Sequence, residues 1–462
     1  MKSLPVSALA KIVGSEPVDN RKKDFTGVST DTRTIKSRDC FFAIAGENFD
    51  GHNYVRQAFA KGAACAVVER VVEGLEPTDE PVLKVQDTIK ALGDLAREYR
   101  RMNAFKVVAI TGSVGKTTTR QIIHHVLGGH FRVHQAQKSF NNNIGLPLTL
   151  LGAEPQTEIV VAELGANHPG EIAYLTQIAQ PNVALVTNAH PAHLEGFGDL
   201  ATIIREKLSI AEGVPDKGVL IINGDIEPLV AACRDRKRPF RTFGKSAEVD
   251  YRAEHITCEA LHSTFAIGGT QIRLPLPGPG NVENAVAAWA VCDQLGLTVD
   301  AFARALESLS NVSMRAEAMQ IGTLTVLNDC YNANPASMRN ALAMLRNLRP
   351  SGDANRTRRL VFICGEMAEL GPQTQALHAE LGEAVAEAGV DLLVTVGIPP
   401  QTTARVAQET ARQALETRSF DDTLSVCDHI EEFLREDDII LVKGSRTARL
   451  EQVVNKLIKD NG

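Results

Sequence analysis

The sequence lacks several features that would place a protein in a specialised class. Its 462 residues contain no run of about 18 or more apolar residues, so no transmembrane helix is predicted. Positive charge is not in excess, because 49 Lys and Arg stand against 56 Asp and Glu and give a formal net charge of −7. This balance argues against a nucleic-acid partner and does not favour an anionic membrane. The eight cysteines include no Cys-x-x-Cys pair, which predicts reduced, buried thiols.

The remaining composition is that of an ordinary globular protein. Apolar residues make up 44% and charged residues 23% of the chain. At roughly 150 residues per domain, the length predicts about three domains. The first residues carry one lysine and a weak apolar stretch broken by Lys11, which is not typical of a secretory leader. We therefore expect a cytoplasmic, multidomain protein, although composition alone does not indicate an enzyme.

Changes in pattern predict domain boundaries near residues 104 and 312. Residues 1–104 have the pattern of a small α/β domain, and residues 105–312 alternate apolar strands with helices, beginning with a strand at Val107–Thr111 and a helix at Thr117–Leu127. Residues 313–462 repeat this alternation and are typical of a Rossmann-like domain. Continuous apolar strands separated by helices indicate parallel sheets covered on both faces. The predicted fold class is α/β, with a central parallel-sheet domain flanked by two further α/β domains.

The strongest single motif is Thr-Gly-Ser-Val-Gly-Lys-Thr-Thr-Thr at Thr111–Thr119. It follows a buried strand and opens a helix, as a phosphate-binding loop requires. Lys116 would reach the β- and γ-phosphates of ATP or GTP, and the Thr117 hydroxyl would ligate Mg²⁺. Ile110 occupies the first glycine position of the full motif, so a glycine-rich turn with a solvated lysine remains the alternative. The nucleotide-binding residues predicted from this motif are Gly112, Ser113, Val114, Gly115, Lys116, Thr117 and Thr118.

Two polar residues follow other apolar strands of the same domain. Glu163 ends one strand, and His193 comes soon after another. Ligands of open parallel sheets bind beyond the carboxyl ends of the strands, so both residues could hold the Mg²⁺ of a bound nucleotide. The alternatives are a helix cap or salt bridge for Glu163.

Further polar residues each have two interpretations. Asn281 and Asn284 lie three residues apart in the first turn of a predicted helix, where an amide can cap the helix or contact a ligand. Four charged residues lie near the strand ends of the last domain, where they could form contacts when that domain closes. The alternative is that they are charges of surface loops. These four are Arg315, Asp329, Lys443 and Arg446.

Several strings of residues, spread over essentially the whole chain, resemble one family. They are Ser29–Arg33, Phe49–His52, Thr111–Thr119, Asn141–Pro147, Glu163–Ile172, Pro191–Gly198, Asn328–Pro335, Gly365–Gly371 and Val442–Arg446. The most specific are Glu-Leu-Gly-Ala-Asn-His-Pro-Gly and Tyr-Asn-Ala-Asn-Pro. Together they resemble the Mur ligases, which use ATP to form amide bonds in peptidoglycan synthesis. The chain departs from the usual family pattern at Arg120, His190 and Gly280.

The resemblance implies a reaction and a division of labour among three domains. It implies that ATP and Mg²⁺ serve to join D-alanyl-D-alanine to UDP-N-acetylmuramoyl-tripeptide through an acyl phosphate. The first domain would bind the UDP end, the central domain ATP, and the last domain would close over ATP and bring the amine. A monomer that binds small molecules, without nucleic acid or membrane insertion, is expected. The rival hypotheses are a related ligase that adds a different amino acid or acts on folate or polyglutamate, or a P-loop ATPase that changes conformation and forms no covalent product.

The resemblance also implies roles for individual residues. Thr117, Glu163 and His193 would hold Mg²⁺, and Lys207 would carry a carbamate near a second Mg²⁺, although locally a solvated lysine is the alternative. Lys116, His193 and Lys207 would be the catalytic residues. Further contacts with ATP would come from Asn281, Asn284, Arg315 and Asp329. Contacts with the other substrates would come from Ser29, Asp31, Arg33, Asp50, His52, Asn141, Asn142, Asn332, Asn334, Lys443 and Arg446.

Overall fold

The structure is a computed structural model that describes the chain except for residues 17–22, 48, 73–79, 138–139, 260, 311, 350–357 and 462. Consecutive stretches of the chain form sheets of four, seven and six strands, accompanied by smaller sheets. We refer to these stretches as the N-terminal region (up to Met102), the central region (from Lys106 to Leu306) and the C-terminal region (from Glu317).

The N-terminal region contains short strands and three helices. Its strands are β1 (Leu4–Pro5), β2 (Asp24–Phe25), β3 (Gly27–Ser29), β4 (Asp39–Phe42), β5 (Ala45–Gly46), β6 (Phe49–Asp50), β7 (Cys65–Val68) and β8 (Val82–Lys84). Its helices are α1 (Val6–Val13), α2 (Val55–Ala60) and α3 (Thr88–Met102). Strands β3, β4, β7 and β8 pair in parallel in that order. Asp87 caps α3 by accepting a hydrogen bond from the Lys90 amide, which satisfies one of the unpaired N–H groups of the first turn.

The central region carries the seven-stranded sheet. Its strands are β9 (Lys106–Thr111), β10 (Val133–Gln135), β11 (Ile159–Glu163), β12 (Val183–Val186), β13 (Val219–Asn223), β14 (Arg241–Gly244), β15 (Tyr251–Arg252), β16 (Glu254–Cys258), β17 (Ser263–Ile267) and β18 (Thr270–Leu274). The sheet order is β10-β11-β9-β12-β13-β14-β15, with every pair parallel. Strands β16 to β18 form a separate antiparallel sheet, where the sequence changes to alternating polar and apolar residues.

Helices cover both faces of the central sheet. They are α4 (Lys116–Gly128), α5 (Gly145–Leu151), α6 (Glu171–Ala179), α7 (Leu194–Phe197), α8 (Leu200–Leu208), α9 (Glu227–Asp235), α10 (Pro279–Gln294) and α11 (Val299–Leu306). Strand β9 lies inside the sheet between β11 and β12, and its residues from Val107 to Thr111 are buried. The loop after β9 therefore opens near the middle of the carboxyl edge of the sheet.

The C-terminal region carries the six-stranded sheet. Its strands are β19 (Glu317–Ile321), β20 (Leu324–Asn328), β21 (Leu360–Cys364), β22 (Leu392–Val396), β23 (Glu416–Phe420) and β24 (Ile439–Lys443). The helices are α12 (Pro335–Asn347), α13 (Thr374–Ala388), α14 (Pro399–Thr410), α15 (Thr423–Phe433) and α16 (Glu451–Asn461). The order is β19-β20-β24-β21-β22-β23, parallel except for the β19–β20 pair. The predicted α/β class with a parallel central sheet is confirmed.

The three regions share part of their apolar packing. One cluster of buried side chains contains Leu95 of α3, Leu150 of α5 and Leu345 of α12. The Tyr99 hydroxyl of α3 also donates a hydrogen bond to the Ala153 carbonyl at 3.0 Å. Helix α3 therefore fastens the N-terminal region to the central region.

Two further properties follow from the packing. Six cysteines are buried and two, Cys258 and Cys427, are half-buried, and all eight are free thiols. Across the described part of the chain, no helix has both the length and the apolar character needed to cross a membrane.

Candidate active site

The loop after β9 approaches its neighbours closely through glycine. Gly112 and Gly115 have φ values of 149° and 83°, which side-chain-bearing residues rarely adopt. A Cβ on Gly112 would lie 2.0 Å from Thr187 Oγ1, and one on Gly115 would lie 2.1 Å from Asn284 Oδ1. The Val114 amide donates to Asn188 Oδ1 at 2.9 Å, so the turn after β12 supports the loop. This is the backbone geometry of a phosphate-binding loop at the start of a helix.

Lys116 begins α4 and folds back over this loop. Its Nζ donates to the Gly112 carbonyl at 2.6 Å. Burial lowers the pKa of Lys116 to about 8, although the nearby Glu163 carboxylate opposes that shift. The first amides of α4 have no carbonyl partner four residues earlier within the helix, so they and Lys116 form a concave donor set suited to phosphate oxygens.

A cavity of about 860 Å³ lies over the loop and extends to the C-terminal region. Most of the residues predicted to bind ATP, metal or the growing peptide line it. From the central region these are Ser113, Val114, Gly115, Lys116, Thr117, Thr118, Asn141, Asn142, Glu163, His193, Asn281 and Asn284. From the C-terminal region they are Arg315, just before β19, and Asp329, Asn332, Asn334 and Lys443.

Glu163 lies at the carboxyl end of β11 and is 1% exposed. Thr117 Oγ1 lies 3.2 Å from Glu163 Oε2, and Arg120 Nε lies 2.8 Å from Glu163 Oε1 in a buried ion pair. The angle of that ion pair leaves both Arg120 Nε and Glu163 Oε1 without a hydrogen bond. The salt-bridge interpretation of Glu163 is therefore correct, and the metal-ligand interpretation is compatible with it because Oε1 still has coordinating capacity.

The oxygen donors of Thr117 and Glu163 fit Mg²⁺. A hydroxyl and a carboxylate are hard ligands, and Mg²⁺ is commonly bound through one or two carboxylates together with waters and substrate phosphates. Within the described residues, no three His, Cys, Asp or Glu side chains converge on one metal position. Thr117 and Glu163 would thus hold the ion together with phosphate oxygens rather than in a cage made by protein alone.

His193 precedes α7 and has a left-handed backbone, with φ 53°. Its Nδ1 pairs with a carboxylate oxygen of Glu369 from the C-terminal region. Burial lowers the pKa of His193, and the hydrogen bond that His193 donates to Glu369 opposes that change. The neutral imidazole that burial favours is the form in which histidine can donate a lone pair to a metal.

Lys207 lies on α8 and is only 2% exposed, so the solvated-lysine interpretation is wrong. Its Nζ lies 5.6 Å from the centre of the Phe197 ring. Burial, assisted by repulsion from Lys116, lowers the pKa of Lys207 to about 7. A substantial neutral fraction is therefore present near neutral pH, and a neutral amine is the nucleophile that carbamate formation requires.

The asparagines of α10 and the charged groups near β19 and β20 have partners of their own. Asn281 Nδ2 donates to the Pro277 carbonyl at 2.7 Å, so this side chain does not cap an amide of the helix. Asn284 Oδ1 accepts from Thr119 Oγ1 at 3.3 Å, which joins α10 to α4. The Arg315 guanidinium lies 4.1 Å from the centre of the Tyr331 ring.

The residues predicted to contact the peptide substrates differ in their surroundings. Asn142 and Asn334 accept hydrogen bonds from backbone amides at the starts of α5 and α12, which holds those turns at the cavity wall. Lys443 pairs with Asp329 at 2.7 Å. Arg446 does not line the cavity and pairs with Glu451 at 3.1 Å on the surface.

The candidate residues of the N-terminal region lie outside this cavity. Arg33 forms an exposed pair with Asp31 at 2.6 Å, and the Ser29 hydroxyl accepts from the Asp31 amide at 3.1 Å. Arg70 holds the pKa of Asp50 down at about 2. His52 is buried, with Nδ1 on Asp50 and Nε2 accepting from the Glu69 amide at 2.9 Å. The His52 ring therefore organises the turn and has no nitrogen left for a ligand.

Several groups near these sites were not predicted. Glu369 lies far from His193 in the sequence, and only its place in the string Gly365–Gly371 could have drawn attention to it. Phe49 and Tyr54 stack with ring centres 5.0 Å apart beside the Asp50 turn, and both are exposed. An exposed pair of aromatic rings next to charged residues is suited to a flat, polar ligand.

Comparisons with known proteins agree with this geometry. Family models match the chain in three places, as "Mur ligase family, catalytic domain" at residues 24–100, "Mur ligase middle domain" at residues 110–292, and "Mur ligase, glutamate ligase domain" at residues 314–446. The UDP-N-acetylmuramoyl-tripeptide–D-alanyl-D-alanine ligase of Escherichia coli is 35% identical over 100% of both chains.

Solved structures are similar over the same length. MurF from Acinetobacter baumannii superposes with a TM-score of 0.87 at 30% identity, covering 100% of both chains. MurF from Thermotoga maritima, solved in complex with ADP, has a TM-score of 0.82 at 26% identity and covers 94% of this chain and 97% of that one.

Proposed function

The chain belongs to the Mur ligase family, and from this premise we propose that it joins D-alanyl-D-alanine to UDP-N-acetylmuramoyl-tripeptide with conversion of ATP to ADP and phosphate. The observation that carries the proposal is full-length similarity to ligases of that name, combined with a phosphate-binding loop that opens into a cavity shared by two sheets. The reaction belongs to the synthesis of peptidoglycan precursors, and we place it in the cytoplasm, where ATP is available and free thiols stay reduced.

The chemistry needs an activated acid, because a carboxylate does not react with an amine at neutral pH. The substrate carboxylate attacks the γ-phosphorus of ATP, ADP leaves, and an acyl phosphate forms. The amine of D-alanyl-D-alanine then attacks the carbonyl carbon, and phosphate leaves from the tetrahedral intermediate. Most of the catalysis in the first step is positioning and stabilisation of charge.

The loop and its lysine account for binding of the nucleotide phosphates. Amides of the residues from Gly112 to Thr118 bind phosphate oxygens, and Lys116 exchanges its Gly112 carbonyl partner for the β- and γ-phosphates. Asn281, Asn284, Arg315 and Asp329 contact the rest of ATP from α10 and the C-terminal region. When bound, Mg²⁺ lowers the repulsion between the phosphates and the incoming carboxylate. Thr117, Glu163 and His193 would hold that ion.

Lys207 acts from α8, close enough to Lys116 and His193 for their charges to interact. Its lowered pKa, about 7, makes a neutral amine available for reaction with CO₂. The carbamate that results would turn a buried cation into a buried anion close to Lys116, whose charge already influences Lys207. Such an anion would favour binding of a second Mg²⁺.

The remaining substrate contacts follow the three predicted domains. Residues 1–104 bind the UDP end through the Ser29–Arg33 and Asp50 turns, and residues 105–312 bind ATP. Residues 313–462 close over ATP and bring the amine. Contacts with the peptide come from Asn141, Asn142, Asn332 and Asn334, which line the cavity, whereas Lys443 holds Asp329 at the cavity wall and Arg446 pairs with Glu451 outside it. His52 supports its turn through hydrogen bonds rather than by direct contact.

The test is product analysis with different amines. Purified protein is mixed with ATP, Mg²⁺ and UDP-N-acetylmuramoyl-tripeptide, and D-alanyl-D-alanine, diaminopimelate, lysine or glutamate is added singly. We expect phosphate release and a product of increased mass with D-alanyl-D-alanine. A product with one of the other amines alone would favour a related ligase, and phosphate release without any covalent product would favour a P-loop ATPase.

A further inference from the structure

One short segment of the C-terminal region contacts the turn that carries His193. This segment, Gly365–Gly371, follows β21 and lies against the turn that begins α7. The Glu369 carboxylate pairs with His193 Nδ1, and the Glu369 carbonyl accepts a hydrogen bond from the Glu195 amide at 3.1 Å. The contact therefore combines a side-chain pair with a backbone hydrogen bond across two regions.

Both residues of the pair have a costly backbone conformation. Glu369 has φ 60° and His193 has φ 53°, values in the left-handed region that residues other than glycine rarely adopt. Such conformations persist only where the surroundings enforce them, and they concentrate at functional sites. A simple surface ion pair needs neither of them.

The C-terminal region holds the segment in place from its own side. The Met367 amide donates to Nε2 of the buried His378 at 3.3 Å, and the Ala368 amide donates to Ser445 Oγ at 2.8 Å. The Ser445 amide in turn donates to the Glu366 carbonyl at 2.9 Å. Contacts within the C-terminal region thus fix the backbone around Glu369, while its carboxylate reaches His193 of the central region.

We propose that Glu369 is a positioning residue that fixes the tautomer and the direction of His193. A carboxylate that accepts the Nδ1 proton leaves the Nε2 lone pair as the free donor of the ring, and His193 lines the cavity over the phosphate loop. Because Glu369 comes from the C-terminal region, His193 is oriented only when that region is docked. The inference rests on the proposed function, in which His193 helps to hold Mg²⁺.

The alternative is that the pair merely stabilises the fold. The Glu369 side chain is 47% exposed, and ion pairs of that exposure contribute little to the free energy of unfolding. Loss of Glu369 should therefore leave the protein folded, which makes the two interpretations separable. A purely structural pair would change stability slightly and would leave the His193 tautomer and the Mg²⁺ requirement unchanged.

The experiment compares Glu369→Ala and Glu369→Gln with the control Glu366→Ala. Glu366 lies in the same segment but pairs with the Thr447 hydroxyl at 2.7 Å. Nitrogen-15 NMR of histidine-labelled, Mg²⁺-free protein near pH 8 reports the tautomer, and a His193→Gln spectrum identifies the signal. We expect the Nδ1–H form in wild type and in Glu366→Ala, a mixture of tautomers in Glu369→Ala, and an intermediate result in Glu369→Gln, whose amide oxygen still accepts.

The second readout is the Mg²⁺ concentration that gives half-maximal ligation. Loss of a partner that orients a metal ligand typically costs about 10–100-fold, so Glu369→Ala should require at least about 10-fold more Mg²⁺ than wild type and Glu366→Ala. A wild-type tautomer or Mg²⁺ requirement in Glu369→Ala would overturn the inference. Absence of product from wild type with D-alanyl-D-alanine would instead refute the proposed function, and the tautomer measurement would still decide whether Glu369 orients His193.

Discussion

The central and C-terminal sheets each place a lysine at a carboxyl edge, and the half-buried Lys116 and the fully buried Lys443 have different surroundings. Lys443 Nζ reaches Asp329 Oδ2 at 2.7 Å, the Asn332 carbonyl at 2.9 Å and the Asp329 carbonyl at 3.4 Å. Lys116 Nζ donates to the Gly112 carbonyl, and burial lowers its pKa to about 8. The comparison teaches that the Lys443 ammonium already has the hydrogen-bond partners it needs for the fold. The Lys116 ammonium retains hydrogen-bonding capacity for a ligand.

The largest effect is expected from Lys116→Ala. Loss of a cation that stabilises charge in the transition state should lower the rate of D-alanyl-D-alanine ligation about 10³-fold or more. The free energy of unfolding should change little, because the side chain is desolvated and has few partners. Phosphate release and urea denaturation measure the two effects. A variant with near-wild-type activity would show that Lys116 is not the phosphate ligand.

The next effect is expected from Lys443→Met. This substitution leaves the mostly buried Asp329 carboxylate without its cation, so the free energy of unfolding should fall by about 3 kcal/mol. Urea denaturation measures the loss, and the double variant Lys443→Met/Asp329→Asn should recover part of it by removing the unpaired charge. If Lys443→Met were as stable as wild type, the contrast with Lys116 would be wrong.

The smallest effect concerns His378, another group of the C-terminal region whose hydrogen-bonding atoms have partners within the protein. Burial lowers its pKa to about 4, and its ring nitrogens contact the Met367 amide and the Thr403 hydroxyl. A histidine whose pKa is lower in the folded state stabilises the fold above its unfolded pKa, about 6.5, and the stabilisation is lost as pH falls towards 4. Between about pH 7 and about pH 5 the loss should be about 2 kcal/mol.

The measurement is the pH dependence of unfolding in wild type and in His378→Gln. Gln retains a hydrogen-bond acceptor for the Met367 amide and does not titrate, so the variant should lack this component of the pH dependence. Identical pH profiles would mean that His378 is not held neutral. The buried polar groups of the C-terminal region would then be less completely hydrogen-bonded than the surroundings of Lys443 indicate.

The sequence predicted those parts of the site that depend on local order. A buried strand, a glycine-rich loop and a helix follow each other directly at Thr111–Thr119, so chain order alone places Lys116 at a sheet edge. Glu163 was predictable for the same reason, since the carboxyl ends of parallel strands meet at one edge. The α/β alternation of the two larger sheets likewise follows from local hydrophobic pattern.

Other features depend on tertiary contacts that no local pattern encodes. Lys207 lies on a short helix with charged neighbours, and only the packing around Phe197 shows that its ammonium is buried. The pairing of His193 with Glu369 joins residues that are 176 positions apart and belong to different regions. The saturation of both His52 nitrogens likewise depends on tertiary structure, because β7 brings the Glu69 amide to the Asp50 turn.

The distribution of thiols gives the molecule a built-in reporter of local opening. Buried cysteines lie in each region, with Cys40 and Cys65 in the first, Cys292 in the second, and Cys330 and Cys364 in the third. Burial raises the pKa of Cys292 and Cys364. An alkylating reagent can therefore reach these sulfurs only when the surrounding structure separates. Timed labelling followed by peptide mass analysis would yield a separate opening rate for each third of the polypeptide without any engineered probe.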